Sequence, residues 1–249
     1  MTPSASPGAA AAATGLSPSR QSLATRVVGV IRRPRTTFNA VAQDPRWFDV
    51  LAVSTLVAAL SGAALMQTQV GRQALVDQWE RTSAAFGHEV DDTGYARLES
   101  ISQYGGWYAA GTALLALPLL TLAAAGGIHL AGRHTRPRVP FVTTLAVAAH
   151  AGVILGLRQT IEAPLNYARE STVNALSLGA WFPALDAASP TARALAFVDL
   201  FGCWWGLVLA LGVSAVYGRR ARTVALGVMG LYAVCAALIA VVLALAAGA

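Results

Sequence analysis

Four histidines, His88, His129, His134 and His150, and two cysteines, Cys203 and Cys235, are the side chains best suited to hold a metal ion or attack a substrate. Their spacing fits neither task. No histidine has a second His or a Glu three or four residues away, the separation that puts two ligands on one helix face. Both cysteines fall inside apolar runs, with no CxxC spacing and no disulfide framework, and read as small packing residues. There is no GxGxxG after a strand, no GxxxxGK[ST], no HExxH and no GxSxG. The sequence therefore predicts no catalytic residue, no metal site and no cofactor, and the chain is read as not an enzyme.

Six residues still stand out. His150 lies near the middle of an apolar run, where an ionisable group is by default a functional hypothesis. It reads either as a neutral ring donating to a hydroxyl or carbonyl of a neighbouring helix, or as a proton-relay or ligand contact. Arg158 and Glu162 end that run, and Asp199 stands just inside the next one, on the same side. The three form an ion-pair cluster, or Asp199 is simply a hydrated residue at the first turn of its helix. Trp204 and Trp205 sit too deep for an interfacial aromatic belt, so at least one faces protein. Gly202 and Gly206 beside them make a GxxxG-like pair, suited to a crossing inside the bundle or to contact with a second copy.

The elements that must position these residues are set by composition. Of the 249 residues, 55% are hydrophobic and 12% charged, about half the charged share of soluble domains. A bilayer core of about 30 Å needs roughly 20 apolar helical residues. Five segments meet this: 48–67, 107–130, 141–161, 195–217 and 223–247. The predicted fold is an all-α integral membrane protein, a bundle of five transmembrane helices with interfacial amphipathic segments, over residues 47–249. Pro118 in the second span marks a kink.

Orientation follows the basic loops. All eighteen basic residues are arginines, and twelve of them lie before the first span, between the second and third, or between the fourth and fifth. Only Asp44 and Asp49 accompany them; the other side holds six arginines and ten acidic residues. This puts the N-terminus in the cytoplasm and the C-terminus on the opposite side, with Ala249 so close to the last span that no further domain is expected. A net charge of +6 is no sign of nucleic acid here, because the arginines flank apolar runs and do not interleave with aromatics.

Residues 1–19, rich in Ala, Ser, Pro and Gly, read as a disordered cytoplasmic tail without a cleavable signal. Residues 20–46 read as an interfacial amphipathic segment, broken at Pro34, with Val27, Ile31 and Phe38 near one face and arginines for anionic headgroups. On the other side Leu75, Trp79 and Phe86, then Tyr95, Leu98 and Ile101, predict a short helical pair. Ile161, Leu165 and Leu176 are loosely helical, with Trp181 near the returning interface.

The stretch FVDLFGCWWGLVLALGVSAVYGRRARTVALGVMGLY resembles the signature of the Yip-domain, or Ypt-interacting-protein, family. Asp199, Leu200 and Phe201 open it, Trp204 or Trp205 and Gly212 follow, and a basic turn from Arg219 to Arg222 leads into a fifth span. PRTTFNAVAQDPRWFDVL, with Pro34, Phe38, Asp44, Pro45 and Trp47, is similar to the family's opening. The resemblance implies five spans over roughly residues 30–245. It also implies kinship with eukaryotic proteins associated with prenylated Rab-type GTPases and with the shaping of secretory membranes. AAHAGV around His150 has neither the Tyr nor the Pro of the eukaryotic pattern, so the likeness is to the bacterial type.

Together these readings predict a non-catalytic membrane protein, in a bacterial inner membrane, that organises bilayer or partner proteins. Its partners are the lipid bilayer, including anionic lipids, and a membrane protein or a second copy of the chain, with no nucleic acid. The rival is a small transporter or channel component using His150, with Asp199 and Arg158, along a polar path.

Overall fold

The computed structural model describes residues 21–85, 88–134, 138–182, 184–185 and 190–246. The tail at 1–19, Arg20, Phe86, Arg136, Asp186 and residues 247–249 lie outside the described residues. Among the described residues there is no strand, only one antiparallel bridge between Ser177 and Asp199. Five helices among the described residues are long and apolar enough to cross a membrane: Phe48–Gln67, Gly105–Gly132, Phe141–Ala168, Leu200–Tyr217 and Ala221–Val242.

Two short helices precede the first span. Ser22 caps α1, Leu23–Arg32, by accepting the Thr25 N–H at 3.2 Å. Pro34, whose ring fits the first helical position and cannot continue a helix, ends α1 and starts α2, Pro34–Gln43. These helices do not lie apart on a lipid surface. Val30, Phe38 and Val41 are buried, and the pair packs on the bundle through the third and fourth spans.

The first span is α3, Phe48–Gln67. It stops at Thr68, whose Oγ1 donates to the Leu65 carbonyl at 2.7 Å and accepts the Gly71 N–H at 2.9 Å, opening α4, Gln69–Ala85. Asp91 caps α5, Asp92–Ser102, so the predicted pair of short helices is present. The second span, α6, runs Gly105–Gly132 with Pro118 inside it. The third is α7, Phe141–Ala151, continued beyond Gly152 by α8, Val153–Ala168; it is the most enclosed span and supplies much of the core. Gly156 lets α8 approach α3, since a Cβ there would meet the Ser54 carbonyl at 3.0 Å.

Between the third and fourth spans run a 3-10 turn at Leu178–Trp181 and a helix, α9, Pro190–Phe197. The fourth span, α10, is Leu200–Tyr217. It therefore opens at Leu200 rather than near 195. Hydropathy is continuous across Phe197–Val198, but Asp199 adopts extended backbone and caps a new helix, which separates α9 from α10. Gly218, at φ 62, ends α10 in the left-handed conformation that glycine adopts without a Cβ penalty. The fifth span, α11, Ala221–Ala246, packs chiefly on α10 and α9.

Candidate functional site

Two charge clusters stand at opposite ends of the bundle. The first is built from α1, α3 and α7. Arg26 is on the bundle-facing side of α1 and only 5% exposed. Its Nη2 forms an ion pair with Asp49 Oδ2, and its Nη1 donates to Asp49 Oδ1 at 3.3 Å and to the Arg46 carbonyl at 3.2 Å. The same Nη1 lies 3.5 Å from His150 Nε2. His150, fully enclosed, has its Nδ1 2.7 Å from the carbonyl of Ala146, one turn back in its own helix. A carbonyl can only accept, so Nδ1 carries the proton and Nε2 accepts from Arg26. The ring is neutral as bonded. Its partners are its own helix and α1, not the hydroxyl or carbonyl of a neighbouring span.

Arg26 was indistinguishable from its flanking arginines in sequence. The one available signal was Asp49, an acid in the first turn of a span beside a cluster of arginines. Asp49 is partly hydrated, with 33% of its side chain exposed, and Arg46 stands 3.9 Å from its Oδ2.

The second cluster joins the third and fourth spans. Arg158 donates from Nε to Glu162 Oε1 at 2.9 Å, one turn along α8, and from Nη1 to Asp199 Oδ2 at 3.1 Å. Glu162 and Asp199 are both buried. The other oxygen of Asp199, Oδ1, accepts the Gly202 N–H at 2.8 Å, which is the N-cap of α10. Asp199 thus joins the ion-pair cluster through one oxygen and caps its helix through the other, and it is buried rather than hydrated. Tyr232 of α11 adds a third span: its hydroxyl donates to the Phe197 carbonyl at 2.7 Å and accepts the Asp199 N–H at 3.4 Å.

Trp204 and Trp205 are half-buried against the main core cluster, and Trp204 stacks on Phe201 with ring centres 6.1 Å apart. Gly202 faces the Tyr232 hydroxyl and Gly206 the Met229 methyl, so the glycine pair serves the crossing of α10 with α11 within one chain. Gly212 is pressed against Phe38 at 2.9 Å and Val147 at 2.6 Å, measured from where a Cβ would stand, which seats α2 on α10 and α7. His88, His129 and His134 do not join either cluster. No group of three or more metal-ligating side chains occurs among the described residues.

The family model of the Yip1 domain matches residues 28–243, from within α1 to the last turn of α11. The chain belongs to the Yip1 domain family. Both charge clusters and all five spans fall in the matched range, apart from Arg26, which stands two residues before it. As a Yip1 domain protein with five apolar helices, it is an integral membrane protein. No curated protein and no solved structure matches the chain.

Proposed function

We propose that this Yip1 domain protein is non-catalytic and organises bilayer or partner proteins, from a bacterial inner membrane with its N-terminus in the cytoplasm and its C-terminus opposite. One observation supports this above others. The charged groups buried in the bundle are used to tie elements together: Arg26 and Asp49 with His150 fasten the amphipathic helices to the spans, and Arg158 with Glu162 and Asp199 fastens span to span. A surface of arginines and amphipathic helices fixed in this way is suited to meet anionic lipids, a membrane-protein partner or a second copy.

The second reading, a transporter or channel component with His150 in a polar path, is favoured by one observation. His150 touches Arg26, whose partner Asp49 reaches solvent. Proteoliposomes separate the two. The organising reading expects no pH-dependent flux through the unaltered protein, and a change in vesicle size or clustering that persists in His150→Gln, whose amide reaches similar partners. A proton-coupled flux that both His150→Gln and His150→Leu eliminate, in variants that remain folded, would establish the transport reading instead.

A further inference from the structure

The groove between α2 and the hairpin of α10 and α11 carries the further inference. Arg35 and Asn39, one turn apart on α2, form one wall; Leu211, Ser214 and Ala215 of α10 and Ala221 at the start of α11 form the other, around about 310 Å³. Local structure holds the second wall in place. Gly218 turns the chain, and Ser214 Oγ reaches forward to donate to the Arg219 carbonyl at 2.7 Å. The seating of Phe38 against Gly212 fixes the first wall relative to the second.

We propose that this groove binds the phosphate headgroup of one anionic phospholipid. The inference rests on the membrane-organising reading and assigns it a lipid site. Charge complementarity selects the anion. Arg35 lines the groove, and Arg32, Arg33, Arg219, Arg220 and Arg222, all exposed, stand within three residues of its lining residues. No acid lines it. An arginine fork matches phosphate oxygens two at a time, and the Asn39 amide adds a further donor.

The floor of the groove selects a lipid over a free phosphate ester. Leu207, Leu211 and Ser214 follow one another at four and three residues, so they share a face of α10 that passes from the groove down into the span. Leu207 is exposed there. A headgroup at Arg35 would have its acyl chains against this apolar surface, whereas a soluble ester would leave it bare.

The test is native mass spectrometry of the full chain released from detergent containing equal phosphatidylglycerol and phosphatidylcholine, with glycerol 3-phosphate as a soluble competitor. The expected result is one retained phosphatidylglycerol, bound about fivefold more weakly by Arg35→Gln, the factor that one well-placed basic side chain near a membrane surface contributes. Ala215→Phe, which fills the groove and keeps the arginine, should give a similar loss, and Arg97→Gln at the other end of the bundle should give none. Equal retention of the two lipids, or equal effects of Arg35→Gln and Arg97→Gln, would overturn the site. Displacement of the lipid by glycerol 3-phosphate at comparable concentration would overturn the lipid assignment in favour of a soluble phosphate ester. Vesicle remodelling and flux are read separately. Arg35-dependent lipid retention without remodelling therefore rejects the organising function and keeps the site, and remodelling without such retention does the reverse.

Discussion

Arg26 and His150, separated by 124 residues in the chain, meet at 3.5 Å between guanidinium Nη1 and ring Nε2. One side chain of α1 is thereby bonded into the most enclosed span. The contact makes residues 22–43 part of the bundle rather than a detachable surface segment.

The asymmetry of that site predicts unequal mutants. Asp49→Asn leaves a guanidinium that is 5% exposed without its counter-charge, whereas Arg26→Leu leaves a carboxylate that is partly hydrated and still near Arg46. Asp49→Asn should therefore destabilise more than Arg26→Leu, and both by less than the ~3–5 kcal/mol of a fully buried broken pair. Thermal unfolding in detergent gives the order, and protease cleavage within residues 21–47 should rise in both. Equal stability of the two variants would contradict the account.

Asp199 offers a cleaner dissection, because its oxygens have different tasks. Asp199→Asn keeps a good helix cap and loses the charge facing Arg158; Asp199→Ala loses both. Alanine should be less stable than asparagine by about 1 kcal/mol, the ordinary worth of an N-cap. Identical unfolding of the two variants would show that the cap contributes nothing.

Acid should loosen α5 in a defined direction. The Gly94 N–H and the Thr93 hydroxyl, which Asp91 accepts at 2.8 and 2.9 Å, hold its carboxyl below the usual carboxylate range. A depressed carboxyl contributes its stabilisation fully above the unfolded value of about 3.9 and loses it as pH falls through the lower folded value. Amide exchange in the first turn of α5, corrected for intrinsic rates, should rise only below about pH 4 in the native chain. In Asp91→Ala it should be fast at every pH. Exchange in the native chain that already quickens near neutrality would rule out this origin.

The proposed orientation can be read by labelling. In a background lacking Cys203 and Cys235, a cysteine at Arg220 should be shielded from a membrane-impermeant thiol reagent in intact cells, whereas one at Glu89 should react. The opposite pattern would invert the topology.

Most of the fold was legible because the bilayer imposes a length and an apolar composition that single residues cannot hide. The first span was read with the boundaries the structure has, Phe48 to Gln67, since charge and polarity resume abruptly on both sides. The start of the fourth was not, because Leu195, Phe197 and Val198 are as apolar as the span itself and only the Asp199 carboxylate marks the break. Residues 158, 162 and 199, which form ion pairs, could be grouped from sequence because two of the three share a helix turn and all three were assigned to one membrane side. Arg26 was missed for a physical reason. Its burial depends on α1 folding back over α7, a tertiary fact that no local pattern in an arginine-rich segment encodes. Gly202 and Gly206 illustrate the same limit, since their spacing says that a helix comes close but only Tyr232 and Met229 say which one.

The unequal lengths of the last two spans bear on bilayer thickness. At 1.5 Å per residue, the 18 residues of α10 reach about 27 Å and the 26 of α11 about 39 Å. The shorter helix is locked at both ends, by Asp199 and by its seat on Phe38, while the longer one is held mainly along α10 and presents most of its surface to lipid. Hydrophobic mismatch therefore acts differently on these two helices. A thinner membrane is expected to tilt α11 against α10, about the contacts of Met229 with Gly206 and of Tyr232 with Phe197 and Asp199.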